Sequence, residues 1–294
     1  METVVCEICE NPTFICKCDV SWASFNHLLS TQCLGKTDLL NEVKYTSLSV
    51  STMTICFNFN QDLNLELLNE KIPKSITVIY KPGSKKSKIP KKKRTDAFYN
   101  SLEIKITIID HRTEPITFSN VSVFLFHNGN VKVAGCKTIN TINLLINELI
   151  MLINYIPGSV ESHTTIKANN IKIQMINSNF NIKPIKDEPD GWCLKQEDLK
   201  NILVNNGYSA TFSSLSRYPG INAKVKSLND PKKKVTLLIF RSGNIIITGG
   251  KYIKDVCNCY ALIIDLISQN AKKIFYYDIN EEIKQKKKTL KKIK

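Results

Sequence analysis

One stretch near the C-terminal end of the chain is apolar on both strand faces. In VTLLIF, which begins at Val235, apolar residues occupy odd and even positions alike. Because side chains alternate along a strand, both faces of this strand carry apolar groups. Such a strand is typical of a sheet covered on both faces, or of a sheet whose second face binds a partner. The alternation alone leaves both interpretations open.

The pattern that follows this strand occurs twice in the chain. Residues 126–137 (FHNGNVKVAGCK) and 240–251 (FRSGNIIITGGK) share F-x-x-G-N-[VI]-x-[VI]-x-G-x-K, with every matched pair 114 residues apart (240 minus 126). The dipeptides Asn128-Gly129 and Ser242-Gly243 lie between alternating runs, which is typical of hairpin turns. A fixed spacing of this kind indicates an internal duplication.

Helical patterns follow both hairpins. Apolar residues three and four apart predict long helices over Thr138–Ile153 and Ile253–Ile267, and shorter helices are predicted at Asp62–Glu70 and Leu194–Val204. Each repeat is therefore predicted as a strand, a short helix, several antiparallel strands and a long helix. Only one helix per repeat is long enough to cover a sheet face, which favours a second face left for a partner.

The chain is predicted to have four parts. We expect a Cys-rich N-terminal extension over 1–44, repeat one over 45–160, repeat two over 161–275 and a basic C-terminal tail over 276–294. A fainter upstream similarity aligns FNFN, which begins at Phe57, with SNFN, which begins at Ser178.

Charge is concentrated in two short segments. The net charge is +15, and the runs 81–94 and 284–294 hold eight and seven basic residues without one acid. Two basic segments on a nearly neutral body are typical of a polyanion-binding protein, although each run alone also fits a solvated surface or a nuclear localisation signal.

No apolar run is long enough to span a membrane, and no signal peptide precedes the body, so we expect an intracellular protein without a membrane partner.

The N-terminal segment CEICENPTFICKC is a candidate zinc site. Its thiols are Cys6, Cys9, Cys16 and Cys18, and four thiolates can form a closed structural site. The six-residue spacing between the pairs is short for a zinc ribbon, and His27 and Cys33 are alternative ligands. No other cofactor is expected.

The second half of the chain resembles the TATA-box-binding protein family. The segments RYPGINAKV and LLIFRSGNIIITGGK occur in that family's order, followed by a long helix. The first half is divergent, and TDAFYNSLEIKI with MINSNFNIKP is most similar to the members encoded by large nucleocytoplasmic DNA viruses. The resemblance implies an α+β saddle of two pseudo-repeats, in which helices cover the convex face of a curved antiparallel sheet.

This resemblance also implies a function. A protein of this family binds and bends AT-rich promoter DNA through the minor groove and recruits transcription machinery. The implied partners are double-stranded DNA, a TFIIB-like factor and RNA polymerase. The implied location is the host cytoplasm, in a viral factory, if the protein is viral, and otherwise the nucleus.

The resemblance assigns the DNA-binding residues by position. The inner wedges are Phe126 and Phe240, and the outer wedges are Tyr218 in repeat two and Tyr99 or Phe98 in repeat one. The groove floor and its centre are assigned to Phe124, Leu238, Ile246, Thr248, Lys132, Ala134, Thr52 or Thr54, and Met175 or Asn177. The phosphate contacts are assigned to Lys105, Lys137, Lys224 and Lys251, with support from the basic run 81–94.

Two other function classes remain open at this point. One is a scaffold of the same fold that binds transcription factors without touching DNA. The other is an accessory domain of a DNA-processing enzyme. The segment GNIIITGGKY has the wrong glycine spacing for a phosphate-binding loop. The four histidines are scattered and form no metalloprotease motif. We therefore expect a protein that is not an enzyme.

Overall fold

A computed structural model describes residues 43–73, 76–81, 100–111, 116–160, 166–184, 191–215, 219–284 and 287. The described chain forms two compact units. Thr52–Gln174 belong to unit 1, whereas residues 43–51 join Met175 and the residues after it in unit 2. Each unit is an antiparallel sheet with helices, so the predicted α+β class is confirmed.

Unit 1 is built on a sheet with strand order β3-β4-β5-β6-β2. Its strands, all antiparallel to their neighbours, are β3 (Thr77–Lys81), β4 (Ser101–Asp110), β5 (Thr117–Phe126), β6 (Asn130–Cys136) and β2 (Ser49–Asn58), of which residues 49–51 belong to unit 2. Its helices are α1 (Leu65–Lys71) and α2 (Ile139–Tyr155). The Thr138 side chain caps α2 by accepting a hydrogen bond from the backbone N–H of Thr141 at 3.0 Å.

Unit 2 repeats this arrangement with strand order β7-β12-β11-β10-β9 and a short β1 on β7. Its strands are β1 (Val43–Tyr45), β8 (Trp192–Leu194), β9 (Ser209–Thr211), β10 (Gly220–Lys226), β11 (Lys234–Phe240), β12 (Asn244–Gly250), β13 (Phe275–Tyr277) and β7 (Asn169–Pro184), of which residues 169–174 belong to unit 1. Its helices are α3 (Gln196–Asn205), α4 (Ile253–Gln269) and α5 (Ala271–Ile274). The four predicted helices therefore occur, within a few residues of their predicted ends.

The two faces of β11 differ in burial. Val235, Leu237 and Ile239 are buried, and α4 packs on β11 and β12 with buried residues such as Val256 and Ile263. Thr236, Leu238 and Phe240 on the other face are only half-buried. The long helix thus covers one face of the strand, and the second face keeps contact with solvent.

Glycine is required in both hairpin turns. Gly129 and Gly243 have φ values of 72° and 76°, which L side chains rarely adopt. A Cβ at Gly129 would also overlap the carbonyl oxygen of Gln61, and a Cβ at Gly243 would overlap that of Ile182. Both turns are therefore restricted twice, by backbone conformation and by a carbonyl packed behind them.

The faint upstream similarity was aligned wrongly, by two residues. The backbone N–H of Phe59 donates to the carbonyl of Gly129 at 3.0 Å, and that of Ile182 donates to Gly243 at 2.9 Å. Asn58 pairs with Asn130 in the same way that Asn181 pairs with Asn244. The matching residues of β2 and β7 are therefore 123 apart (182 minus 59). The sequence could not give this register, because the alternation of side chains specifies a face of the strand but not its partner residues.

The segment expected to begin a C-terminal tail belongs to unit 2. Strand β13 includes Tyr276 and Tyr277 and pairs with β8, and residues 279–284 are helical. Glu282 in that helical segment is buried, and its carboxylate accepts a hydrogen bond from the Tyr277 hydroxyl. In the described part of the chain, no helix is long and apolar enough to cross a membrane.

Candidate nucleic-acid interface

The half-buried face of unit 2 is built in rows that cross the strands. Asn222 of β10 lies opposite Leu238 of β11, Leu238 opposite Ile246 of β12, and Ile246 opposite Asn179 of β7. All four side chains are half-buried. The row thus places two apolar groups between two amides.

Phe240 lies at the end of this face, beside the hairpin turn. It is half-buried and pairs with Gly220 of β10. A Cβ at Gly220 would lie 3.1 Å from the Cε1 atom of Phe240, so the ring packs directly over the glycine. The glycine gives the aromatic ring room to lie against the backbone at the end of the sheet.

Unit 1 has the corresponding row with different chemistry. Glu103 of β4 lies opposite Phe124 of β5, Phe124 opposite Lys132 of β6, and Lys132 opposite Cys56 of β2. These four side chains are half-buried as well. Phe126 takes the place of Phe240 and lies opposite Ser101, which is 1% exposed.

The structure separates the alternatives for the centre of the face. The hydroxyl oxygen of Thr52 accepts a hydrogen bond from the Gly135 N–H at 3.0 Å, so this oxygen is already engaged by the backbone. Thr54 lies opposite Ala134 of β6. The hydroxyl of Thr248, the counterpart of Ala134, donates to the Asn177 Oδ1. Thr54 and Asn177 therefore occupy matching positions in the two units.

Met175 matches Thr52 in the same comparison, two residues before Asn177. Its thioether sulfur lies 3.8 Å from the hydroxyl of Thr248. A thioether is at most a weak acceptor and donates nothing to a base edge. Asn177 is the stronger candidate for a polar contact with DNA. Its Oδ1 accepts a hydrogen bond from the Thr248 hydroxyl, whereas its Nδ2 has no side-chain partner among the described residues.

The predicted phosphate-binding lysines differ in setting. Lys105 is exposed on β4, opposite Ser122. Lys224 is half-buried on β10, and its Nζ donates to the Thr236 hydroxyl at 2.6 Å. Lys137 lies just after β6 and Lys251 just after β12, at the points where the chain enters α2 and α4. Lys105 and Lys224 thus lie on the half-buried faces, and the other two lie at their borders.

Several predicted residues lie outside the described residues. These are the outer wedges Tyr99 and Tyr218, the alternative Phe98, residues 82–94 of the basic run, and the thiols Cys6, Cys9, Cys16 and Cys18. Among the described residues, no cluster of histidine, cysteine and carboxylate side chains is arranged to hold a metal ion. The zinc site and the outer wedges stay predictions.

Sequence reasoning missed four residues of the two rows. Asn179 and Asn222 in unit 2 correspond to Cys56 and Glu103 in unit 1, through the shared hairpin register. The signal that could have found them is strand parity, because each lies two or four residues from a residue already assigned to the face. An acid was not expected on a surface assigned to DNA.

One segment of the chain is similar to a known protein family. A family model described as "Transcription factor TFIID (or TATA-binding protein, TBP)" matches residues 198–270, which run from the first turn of α3 through the end of α4. The match contains the row of Asn222, Leu238 and Ile246 and the wedge Phe240. Residues 198–270 are therefore similar to the TATA-binding protein family. The predicted resemblance to this family is confirmed, and so is the α+β fold.

Two curated proteins are similar over longer stretches. The TATA-box-binding protein-like protein of Acanthamoeba polyphaga mimivirus is 26% identical over 210 residues, which cover 67% of this chain and 55% of that protein. TATA-box-binding protein-like 1 of Entamoeba histolytica is 26% identical over 156 residues, covering 53% of this chain and 62% of that protein. The chain thus spans between half and two thirds of the length of these curated relatives.

The similarity to the mimivirus protein agrees with the predicted likeness to viral members of the family. Among solved structures, Methanococcus jannaschii TBP is similar with a TM-score of 0.49 and 18% identity. That alignment covers 76% of this chain and 99% of the archaeal protein.

Proposed function

We propose that this protein is a transcription initiation factor that binds promoter DNA through the half-buried sheet faces of its two units. The observation that carries the proposal is the row Asn222–Leu238–Ile246–Asn179. Apolar side chains flanked by amides suit the minor groove at A·T pairs, which displays only the acceptors adenine N3 and thymine O2 and lacks the guanine amino group.

The aromatic side chains at the ends of these faces support bending as well as binding. Phe240 and Phe126 are half-buried at hairpin ends, where a ring can be inserted between base steps. Lys105 and Lys224 supply positive charge on the same faces, and phosphate contacts from such lysines contribute affinity without sequence preference. We further propose that a TFIIB-like factor and RNA polymerase are recruited to the bent DNA.

A duplex-binding titration tests the proposal. Fluorescence anisotropy with an AT-rich and a GC-rich duplex of equal length, at several salt concentrations, should show tighter binding to the AT-rich duplex and a negative salt slope. Leu238→Asp places a carboxylate in the central row of unit 2 and should abolish specific binding.

Leu228→Asp is the matched control for this titration. It makes the same substitution in the same unit at a side chain that is 63% exposed, and it should bind like the wild type. Equal binding by the Leu238 and Leu228 variants, with both folded, would contradict the assignment of the face. A protein that binds no duplex would favour the scaffold alternative.

A further inference from the structure

Glu103 is an acid in the middle of a surface assigned to a polyanion. It is half-buried on β4 and lies between two large side chains in its row, Ile79 of β3 and Phe124 of β5. Lys132 is the next residue of the row beyond Phe124, roughly 10 Å from Glu103 at the usual strand spacing. Within the described residues, no hydrogen bond or ion pair engages the Glu103 carboxylate. Lys105 follows two residues later on the same face.

The matching residue of unit 2 is an amide. Asn222 lies opposite Leu238 as Glu103 lies opposite Phe124, and the hairpins that follow share one register. The two units therefore present the same backbone position with different hydrogen-bonding chemistry. An asparagine can donate and accept, whereas an ionised glutamate can only accept.

The chemistry of the minor groove makes this difference selective. A·T pairs show only the acceptors adenine N3 and thymine O2, which a carboxylate cannot bind without a bridging proton. A G·C pair adds the exocyclic N2 amino group of guanine, which is a donor. A carboxylate that accepts from this donor forms a charge-assisted hydrogen bond, whereas a carboxylate brought against A·T acceptors loses water without compensation.

We propose that Glu103 makes unit 1 select a guanine in the minor groove, by accepting a hydrogen bond from its N2 amino group. The inference rests on the proposed function, because it requires the face of unit 1 to contact a duplex. It adds a specificity-determining residue and a ligand group to that function. Unit 1 then reads a G·C pair within an AT-rich site, and unit 2, with Asn222, reads A·T pairs.

The test removes one functional group from the DNA. In a series of duplexes, a single G·C pair is moved along the half-site read by unit 1, and each duplex is compared with one that carries hypoxanthine in place of guanine. Hypoxanthine lacks only the N2 amino group. At one position the wild type should bind the guanine duplex about tenfold more tightly than its hypoxanthine partner, since a good base contact is worth about 1–3 kcal/mol.

The protein variants locate the effect. Glu103→Asn copies the residue of unit 2 and should abolish the guanine preference while binding the all-A·T duplex more tightly than the wild type does. Glu148→Asn makes the same charge change at an exposed position of α2 and should keep the guanine preference.

The outcomes separate this inference from the function on which it rests. If the wild type binds duplexes but does not distinguish guanine from hypoxanthine at any position, the inference is wrong and DNA binding stands. If the wild type and Glu103→Asn distinguish them equally, another residue reads the amino group and the inference is wrong. If the wild type binds none of the duplexes, the proposed function fails as well.

Discussion

The Nε of Arg241 donates a hydrogen bond of 2.7 Å to the hydroxyl of Tyr276, 35 residues further along the chain. The same guanidinium forms ion pairs with Asp278 and with Glu281. Arg241 immediately follows Phe240, at the start of the hairpin turn of unit 2. One side chain thus connects that turn to the last described segment of the chain.

Replacing Arg241 with glutamine should loosen this segment. Because Arg241 is partly exposed, we expect a modest effect: hydrogen exchange of backbone amides in 275–282 about fivefold faster than in the wild type, the equivalent of ~1 kcal/mol. Lys226→Gln, an exposed change on β10, is the control. Unchanged exchange in the Arg241 variant would show that β13 pairing alone holds the segment.

The two phenylalanine wedges should contribute unequally to DNA binding. Phe240→Ala should weaken binding to an AT-rich duplex by at least about 1 kcal/mol more than Phe126→Ala, because the face next to Phe240 carries amides and that next to Phe126 carries Glu103. Tyr155→Ala, at an exposed position at the end of α2, is the control. Anisotropy titrations measure the losses, and equal losses would show that both units bind DNA alike.

Asp255 should be important for the stability of unit 2. It is 2% exposed at the start of α4, and its carboxylate accepts from the Ser227 hydroxyl at 2.6 Å and the Leu228 N–H at 2.7 Å. Asp255→Ala leaves these donors without a partner and should lower the free energy of unfolding by about 2–3 kcal/mol, measured by urea denaturation. Glu148→Ala should change it by less than about 0.5 kcal/mol. A similarly small change at Asp255 would contradict the role of these hydrogen bonds.

The described thiols should react at different rates. Burial raises the pKa of Cys136 to about 12, and burial followed by the nearby Asp255 carboxylate raises the pKa of Cys259 to about 12, so both are protonated and inaccessible at pH 8. Cys56 is only half-buried. Iodoacetamide, with mass spectrometry of peptides, should label Cys56 before Cys136 and Cys259, and a bound duplex should slow the labelling of Cys56. Labelling of Cys56 that a saturating duplex leaves unchanged would contradict a contact at the face of unit 1.

The N-terminal thiols Cys6, Cys9, Cys16 and Cys18 are predicted to bind one zinc ion. Metal analysis of the purified chain should then find about one equivalent of zinc, lost in a Cys6→Ser, Cys9→Ser double variant and kept in Cys56→Ser. Purified, folded protein without zinc would rule out the site.

The sequence predicted the parts of the fold that depend on local periodicity. The helix patterns located α2 and α4, and the Asn128-Gly129 and Ser242-Gly243 dipeptides located both hairpins. Parity placed Phe124 with Phe126, and Leu238 with Phe240, on common faces. Register could not be predicted in the same way, because a shift of two residues leaves every side chain on its face.

Other features depend on distant parts of the chain. The ladder of β2 on β6 is irregular between Met53 and Thr54, which no local pattern predicts. Residues 275–277 are too few to show alternation, and the basic run after them suggested a solvated tail. Strand β13 depends on pairing with β8 and on Arg241, which lie far away in sequence.

The glycines of the two hairpin turns explain why the duplication is still detectable. At Gly129 and Gly243 any side chain would collide with a main-chain carbonyl, whatever the protein binds. Side chains of different chemistry fit elsewhere on the half-buried faces, where Asn222 and Glu103 differ at matching positions. In a duplicated chain of this kind, the turns record common ancestry, whereas differences between the faces are the place to look for acquired specialisation.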